Sequence, residues 1–453
     1  MKKNPSAPTS ATAFVSEPAR QTPVIAEVEV LVLGGGPAGM VAAAAAARAG
    51  CSTLLVERYG FLGGMGTAAG VTNFCGLHAN VHGKLQQVVH GLADDLLVRL
   101  RRLGGLSEPH ALFGGKICAQ AYDNAALKVA ADALVLDHGA KLLLHAPAVG
   151  VVMGAANTIE ALLVETRSGR GAICAQVFID ASGDADLAAW SGAPFEKGPE
   201  LLYPSTMFRV NGVDAARAGD AWNHFGSLMA AAEAKGRRFP RRTPIIRPQK
   251  NSAEWRANVT QLANPDGSAV DGTDAWQLSA AEVEGRRQIV DFMQFLRESA
   301  PGFENAYLLE IAPQVGIRET RRIVGEAVLT EQDVLDCVSF EDSIGVNGWP
   351  IEAHVAGDVH FTFPDIPHCR GYNQLPLRMI LPQVVDNLLV AGRCASMTHA
   401  GQSAARVSGA CFVMGEAAGV TAALSRTRGW RPRDVAAHNV QQQLRMHDAW
   451  LGD

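Results

Sequence analysis

Residues Val28–Glu57, VEVLVLGGGPAGMVAAAAAARAGCSTLLVE, decide how this chain folds. Val28–Leu33 is almost wholly apolar and rich in β-branched residues, the pattern of a parallel strand buried on both faces. It breaks at three glycines and continues as an alanine-rich run, predicted to be a helix that ends at Gly50. Gly34, Gly36 and Gly39 satisfy G-x-G-x-x-G in the strand–turn–helix setting that a dinucleotide-binding motif requires. In that motif Gly34 permits the tight turn, Gly36 lets the backbone approach a pyrophosphate, and Gly39 lets helix sit close on strand. Pro37 opens the helix without losing a hydrogen bond, since that N–H has no intrahelical partner. The N–H groups of the first turn, Ala38 included, then face the phosphates. A second strand, Cys51–Val56, ends at Glu57. That carboxylate follows Gly39 by 18 residues, close to the spacing of about 20 for the group that holds the adenosine ribose.

Composition narrows the class further. The 453 residues are 48% hydrophobic and 19% charged, enough apolar material for two or three domains. The net charge of −5 excludes a strongly basic chain, so nucleic acid is not expected as a partner. Eight scattered cysteines form no C-x-x-C pair and read as reduced thiols of a cytoplasmic protein. Residues 1–27, rich in Ser, Thr, Ala and Pro, read as a disordered tail without the continuous apolar core of a secretory signal. No apolar run approaches the ~18 residues that span a bilayer, so no membrane association is expected. No metal site is expected either.

Directly after Glu57 and Arg58 comes YGFLGGMGTAAG, with Gly63, Gly64 and Gly66 close together. A second glycine-rich loop beyond the ribose carboxylate suits an extended FAD better than a nicotinamide, because the chain must skirt pyrophosphate and isoalloxazine. The segment ERYGFLGGMGT resembles the E-R…L-G-G-x-x-T segment of FAD-dependent oxidoreductases of the glutathione-reductase-like superfamily. More narrowly, it resembles the bacterial FAD-dependent oxidoreductase family related to the fumarate reductase and succinate dehydrogenase flavoproteins. The resemblance implies that Arg58, Gly63, Gly64, Met65 and Thr67 adjoin FAD. Flavin disulfide reductases carry a redox cysteine pair after this loop. Here Met65, Gly66 and Thr67 stand instead, so no dithiol relay is expected. No second G-x-G-x-x-G follows a strand downstream, so no separate NAD(P)H domain is expected.

VFIDASGD, Val177–Asp184, resembles the superfamily's second flavin motif and implies that Ala181, Ser182 and Gly183 pass close to FAD. An Asx turn closing a strand accounts for the same residues. By the same resemblance the run from His145 to Val149 lies beside the adenine, with Ala148 as a backbone contact. The most specific resemblance is NLLVAGRCASMTHAGQSAARVSGACFVMGEAAG, Asn387–Gly419. It implies that Gly392 and Arg393 end a strand beneath the ribityl chain and pyrophosphate. A helix is predicted from Gly401 to Leu424, and Gln402 and Ser403 stand in its first turn. The helix N-terminus would face the flavin's pyrimidine edge.

The expected architecture is α/β: a discontinuous Rossmann-type FAD-binding domain, residues 28–193 and 377–433, with an inserted α+β substrate or lid domain, 194–376. Residues 434–453 form a C-terminal extension. Within the insertion, 239–265 is rich in Pro, Arg and Asn and is expected to loop over the surface. Arg237, Arg238, Arg241 and Arg242 read as a solvated charge run or, alternatively, as an anion or RNA contact. Gly316–Glu326 resembles the family's R-x-x-R-R-I-x-G segment. Arg318 there either clamps a carboxylate or joins a network with Glu319 and Glu326. Asn347–His354, NGWPIEAH, resembles a Y-P-I-D-x-H run with Trp349 and Glu352 in place of tyrosine and aspartate. His354 is either a proton donor or acceptor beside the flavin or a hydrogen-bonded core histidine. Arg318, His354 and Arg378 are the candidates for substrate anchoring and proton handling.

The expected function is hydride transfer between flavin N5 and a small organic substrate, with electron donor or acceptor and oligomeric state left open. The alternatives are a monooxygenase using NAD(P)H and O2, a flavoprotein acting on tRNA, and a flavin-binding protein without turnover.

Overall fold

In the computed structural model, which describes residues 14–250 and 253–453, strand Val24–Leu33 lies between Thr53–Val56 and Gly169–Asp180 and parallel to both. Lys141–Leu143 extends the parallel set on one side and Leu388–Val390 on the other. Leu33 stands opposite Asp180, and Asp180 opposite Val390. Three strands far apart in sequence therefore end side by side, at the edge where a Rossmann-type sheet takes its ligand. On its other side the first half of Gly169–Asp180 pairs with Ile159–Thr166, which pairs with Ala148–Met153, both antiparallel. Val30, Leu31, Val32, Leu55, Phe178 and Ile179 are all wholly buried, which is why these strands read as unbroken apolar runs.

The first strand begins at Val24, because Val24 to Val28 find partners in Ala172 to Ala175. Val24 to Glu27, expected to belong to a disordered tail, are therefore strand, and residues 1–13 of that expected tail lie outside the described residues.

Helix Pro37–Arg48 covers one face of this sheet and packs against helix Ser408–Arg428. The two backbones touch. A Cβ atom on Gly415 would overlap the Ala38 carbonyl oxygen, and one on Gly419 would overlap that of Ala42. The single helix expected over Gly401–Leu424 is two, His399–Ala405 and Ser408–Arg428, set at 92° across Arg406 and Val407. Small residues flank the bend and neither Arg406 nor Val407 breaks helices, so the composition carries no stop signal there. Among the described residues no single helix is long and apolar enough to cross a membrane.

A second sheet, antiparallel throughout, runs in the order Ile245–Pro248, Trp255–Asn258, Phe208–Asn211, Tyr307–Ile311. Its own core is aromatic: Phe208, Phe225, Trp255, Phe292, Phe295 and Phe303, with Trp255 and Phe303 meeting edge to face at 5.1 Å. Two of its strands fall in the stretch 239–265 expected to be surface loop. All of Trp255–Asn258 is buried, and so is Arg241. The polar composition that suggested solvent exposure belongs to an inward-facing polar wall. The basic run divides accordingly, with Arg237 paired to Glu298 on the surface and Arg241 turned inside. The antiparallel pair Ser343–Asn347 and Asn373–Pro376 lies within the expected insertion, yet Ile344, Val346 and Leu375 belong to the core that includes helix Pro37–Arg48. Val440 and Leu444, from the expected C-terminal extension, join that core as well.

Gly415→Ala is expected to cost ~1–3 kcal/mol, the usual penalty for adding a methyl group to a filled core. Denaturant unfolding measures it, and a loss under about 0.5 kcal/mol would mean that the two helices do not touch.

Candidate functional site

A cavity of 610 Å³ runs from the aligned strand ends to the second sheet, within the ~300–1,000 Å³ of ordinary ligand and cofactor sites. Three turns meet at its inner end: Gly34, Gly36, Pro37 and Ala38; then Ala181, Ser182 and Gly183; then Gly392 and Arg393. Glu57, Arg58, Gly63, Gly64, Met65 and Ala148 line it too.

The three motif glycines differ in what they make room for. Gly34 has φ +99° and faces the Ala181 carbonyl, while a Cβ on Gly39 would overlap the Gly34 carbonyl oxygen. Both are glycine because protein occupies the space. Gly36 has φ −71°, which any residue adopts, and the nearest atom to a Cβ there is the Gly64 Cα at 3.7 Å. The space beside Gly36 is open cavity at a helix N-terminus, so this cradle fits the pyrophosphate of FAD. Glu57 is buried, and its carboxylate accepts the N–H groups of Gly35 at 2.7 Å and Tyr59 at 3.0 Å. Each oxygen keeps a further lone pair for a ribose hydroxyl.

The second turn lines the cavity and closes its strand through side-chain hydrogen bonds. Ser182 lines the cavity, yet its hydroxyl is committed to the turn, donating to Asp180 at 2.6 Å and accepting from the N–H groups of Asp184 and Asp186. Arg393 stitches the turns together through bonds to the Gly183 carbonyl at 2.9 Å, the Ile317 carbonyl at 2.6 Å and the Asp184 carboxylate at 2.8 Å.

Four expected contacts lie elsewhere. Thr67 is wholly buried and donates to the Leu62 carbonyl. Gln402 donates to the Arg318 carbonyl and Ser403 to that of Ala400, both behind the cavity wall. The helix bend accounts for this pair, because it brings Arg406, Val407, Ser408 and Cys411 to the cavity in their place. Arg378 is half-exposed outside the cavity and paired with Asp342 at 3.0 Å. Gly39 also stays out of the lining, as its packing role requires.

The outer part of the cavity is built of ionisable groups. Glu352 accepts from Trp349 Nε1 at 2.8 Å and bonds His354 Nε2 at 3.0 Å. Burial opposes its charge, but the bonds from His354 and Trp349 and the nearby Arg406 outweigh it and hold the carboxyl down to about 2. Burial, with Arg318 and Arg406 close by, pushes His354 well below its ordinary 6.5 against the pull of Glu352. His354 is thus a neutral imidazole. With Nε2–H donated to Glu352, its Nδ1 carries the basic lone pair. Arg318 lines the cavity too and bonds the Tyr203 carbonyl at 2.5 Å. The carboxylate network expected around Arg318 takes its neighbour instead, since Glu319 pairs with Arg322 and His399. Arg256, Asn258 and Arg406 also line this chamber, and no motif marks them in the sequence.

A family model described as FAD dependent oxidoreductase matches residues 29–444. Among solved structures, a geranylgeranyl bacteriochlorophyll reductase-like protein from Thermoplasma acidophilum is 13% identical, with 93% of this chain and 83% of that chain covered and a TM-score of 0.47. The p-nitrophenol 4-monooxygenase of Pseudomonas putida is 11% identical, with 94% and 87% covered and a TM-score of 0.47. A flavin-dependent brominase is 12% identical, with 93% and 84% covered and a TM-score of 0.45. No curated protein matches the chain.

Gly36→Ala separates cofactor from fold. We expect the cofactor-free protein to stay within about 0.5 kcal/mol of wild type, since the added methyl meets only open space, while FAD retained through purification falls sharply. Full FAD occupancy in the variant would refute the cradle.

Proposed function

The chain belongs to the FAD dependent oxidoreductase family and FAD is its cofactor; on that premise we propose that it moves a hydride between the flavin and a small organic substrate beside His354. Bound FAD supplies the two-electron step at flavin N5. The first-turn N–H groups, Glu57 and the turn at Gly392 would hold it. The observation that carries the proposal is that these turns and the chain Trp349–Glu352–His354 open onto the same cavity.

In this reading His354 Nδ1 takes the proton that leaves the substrate with the hydride, and returns it in the reverse direction. Ionised Glu352 stabilises the imidazolium that forms and fixes which nitrogen is basic, while Trp349 holds the carboxylate in register. Burial keeps water from competing for the proton.

Anaerobic mixing of holoprotein with candidate acids, alcohols and amines, followed by flavin bleaching, tests the function directly. His354→Gln is expected to slow bleaching by ~10²–10⁴-fold with FAD content unchanged. An undiminished rate sinks the proton role, and substrate-dependent oxygen uptake with NADPH would place the enzyme among the monooxygenases. The same variant has a signature in stability. The fold holds His354 neutral, whereas the unfolded chain protonates it near pH 6.5. Wild-type stability should therefore be level above that pH and fall as the pH drops below it. His354→Gln should lessen that fall, to which buried His78 and half-buried His110 also contribute, as read by denaturant unfolding on either side of pH 6.5.

A further inference from the structure

We propose that the substrate is a carboxylic acid with an aromatic or branched apolar body, its carboxylate held by Arg256, Arg318 and Arg406. The inference rests on the reading of this cavity as a flavoenzyme's substrate chamber and specifies what that chamber takes.

Buried guanidinium groups ordinarily face a carboxylate. Here Arg256 and Arg318 are 4% and 5% exposed, Arg406 is partly buried, and all three line the cavity. Among the described residues none of the three is ion-paired. Arg318 bonds the Tyr203 carbonyl, with the Asn258 side chain at 3.5 Å. Arg256 meets the Met207 sulfur at 3.7 Å and the Asn73 amide oxygen at 2.8 Å. Arg406 reaches only the backbone carbonyl of Glu352, at 3.2 Å. The Nε–H groups of Arg256 and Arg406 are buried with no protein acceptor among the described residues. Glu352, the carboxylate of this chamber, is already committed to Trp349 and His354. Arg241, itself buried, spends its hydrogen bonds on Asn258 and the Thr243 carbonyl.

The chamber therefore carries more positive charge than Glu352 balances, presented as planar forks suited to a bidentate carboxylate. Burial draws Arg256 down to about 10 and Arg318 well below its ordinary value, as charge without a counter-ion requires.

Another part of the lining is apolar. Leu112, Phe113, Ala119, Trp349, Phe361 and Val407 line the same cavity, and the rings of Phe113 and Phe361 lie 4.6 Å apart. A short dicarboxylate would satisfy the arginines and leave this wall wet. A monocarboxylate with a ring or branched chain satisfies both.

The test titrates FAD-loaded protein with phenylacetate, with its neutral amide, and with succinate, following the flavin spectrum and the melting temperature. Phenylacetate should bind at least about tenfold more tightly than either of the others. Arg256→Gln should remove that preference while FAD content and affinity for the amide hold. Arg406→Gln serves the same purpose should the first variant fold poorly. Equal binding of acid and amide, tighter binding of succinate, or a preference that survives both variants overturns the inference. Bleaching by a neutral donor without acid binding overturns it alone, whereas acid binding without bleaching by any donor overturns the redox reading and leaves this one standing.

Discussion

Backbone meets backbone at the centre of this molecule, and the rest of the structure depends on those contacts. Gly39 lies against the Gly34 carbonyl, Gly34 against that of Ala181, and Gly415 against that of Ala38. Any side chain at these positions would push apart a helix, a turn or a strand end. Because none is present, the helix that begins at Pro37 can rest on the sheet while its free N–H groups point at the space between three strand ends. Dispersion and burial stabilise the contact, but its geometry is set by what is missing.

The cavity thus has two ends made by different means. The inner end is mostly main chain: glycine turns, a helix start, and one buried carboxylate already tied to Gly35 and Tyr59. Such a surface suits a large polar cofactor that must lie along it. The outer end is side chain, with arginines from the second sheet and from the helix bend facing His354 and Glu352. Arg393 spans the two, holding the turn at Gly183 to the irregular segment that carries Arg318. The division follows chemistry, because a cofactor that stays bound needs shape, whereas a substrate that comes and goes needs charge it can satisfy and then release.

How much of this was legible in the sequence follows the same division. The inner end could be read because backbone constraints leave a local trace: Gly34, Gly36, Gly39 and Glu57 lie within one short span, and at Gly34 and Gly39 only glycine tolerates the contacts. The outer end left no such trace. Arg256 and Asn258 sit in a stretch whose polar composition is the usual mark of a surface loop, and only tertiary packing shows that it faces inward. Arg406 interrupts a small-residue run that reads as continuous helix. Arg378 and Arg318 look alike as sequence, yet one meets Asp342 at the surface and the other lines the chamber. His354 stood out through its neighbours. The exchange of tyrosine and aspartate for Trp349 and Glu352 makes sense once Glu352 is seen to bridge the indole and the imidazole. The places where local pattern failed are those where polar groups are held inside for chemistry.

The elbow between His399–Ala405 and Ser408–Arg428 governs two properties through one joint. On one side of it the long helix starts at Ser408 and lends its partial positive charge to whatever lies before it in the cavity. At the corner itself Arg406 reaches into the chamber. The start of the long helix and the reach of Arg406 are therefore set by one joint, and a rotation at Val407 would move both together.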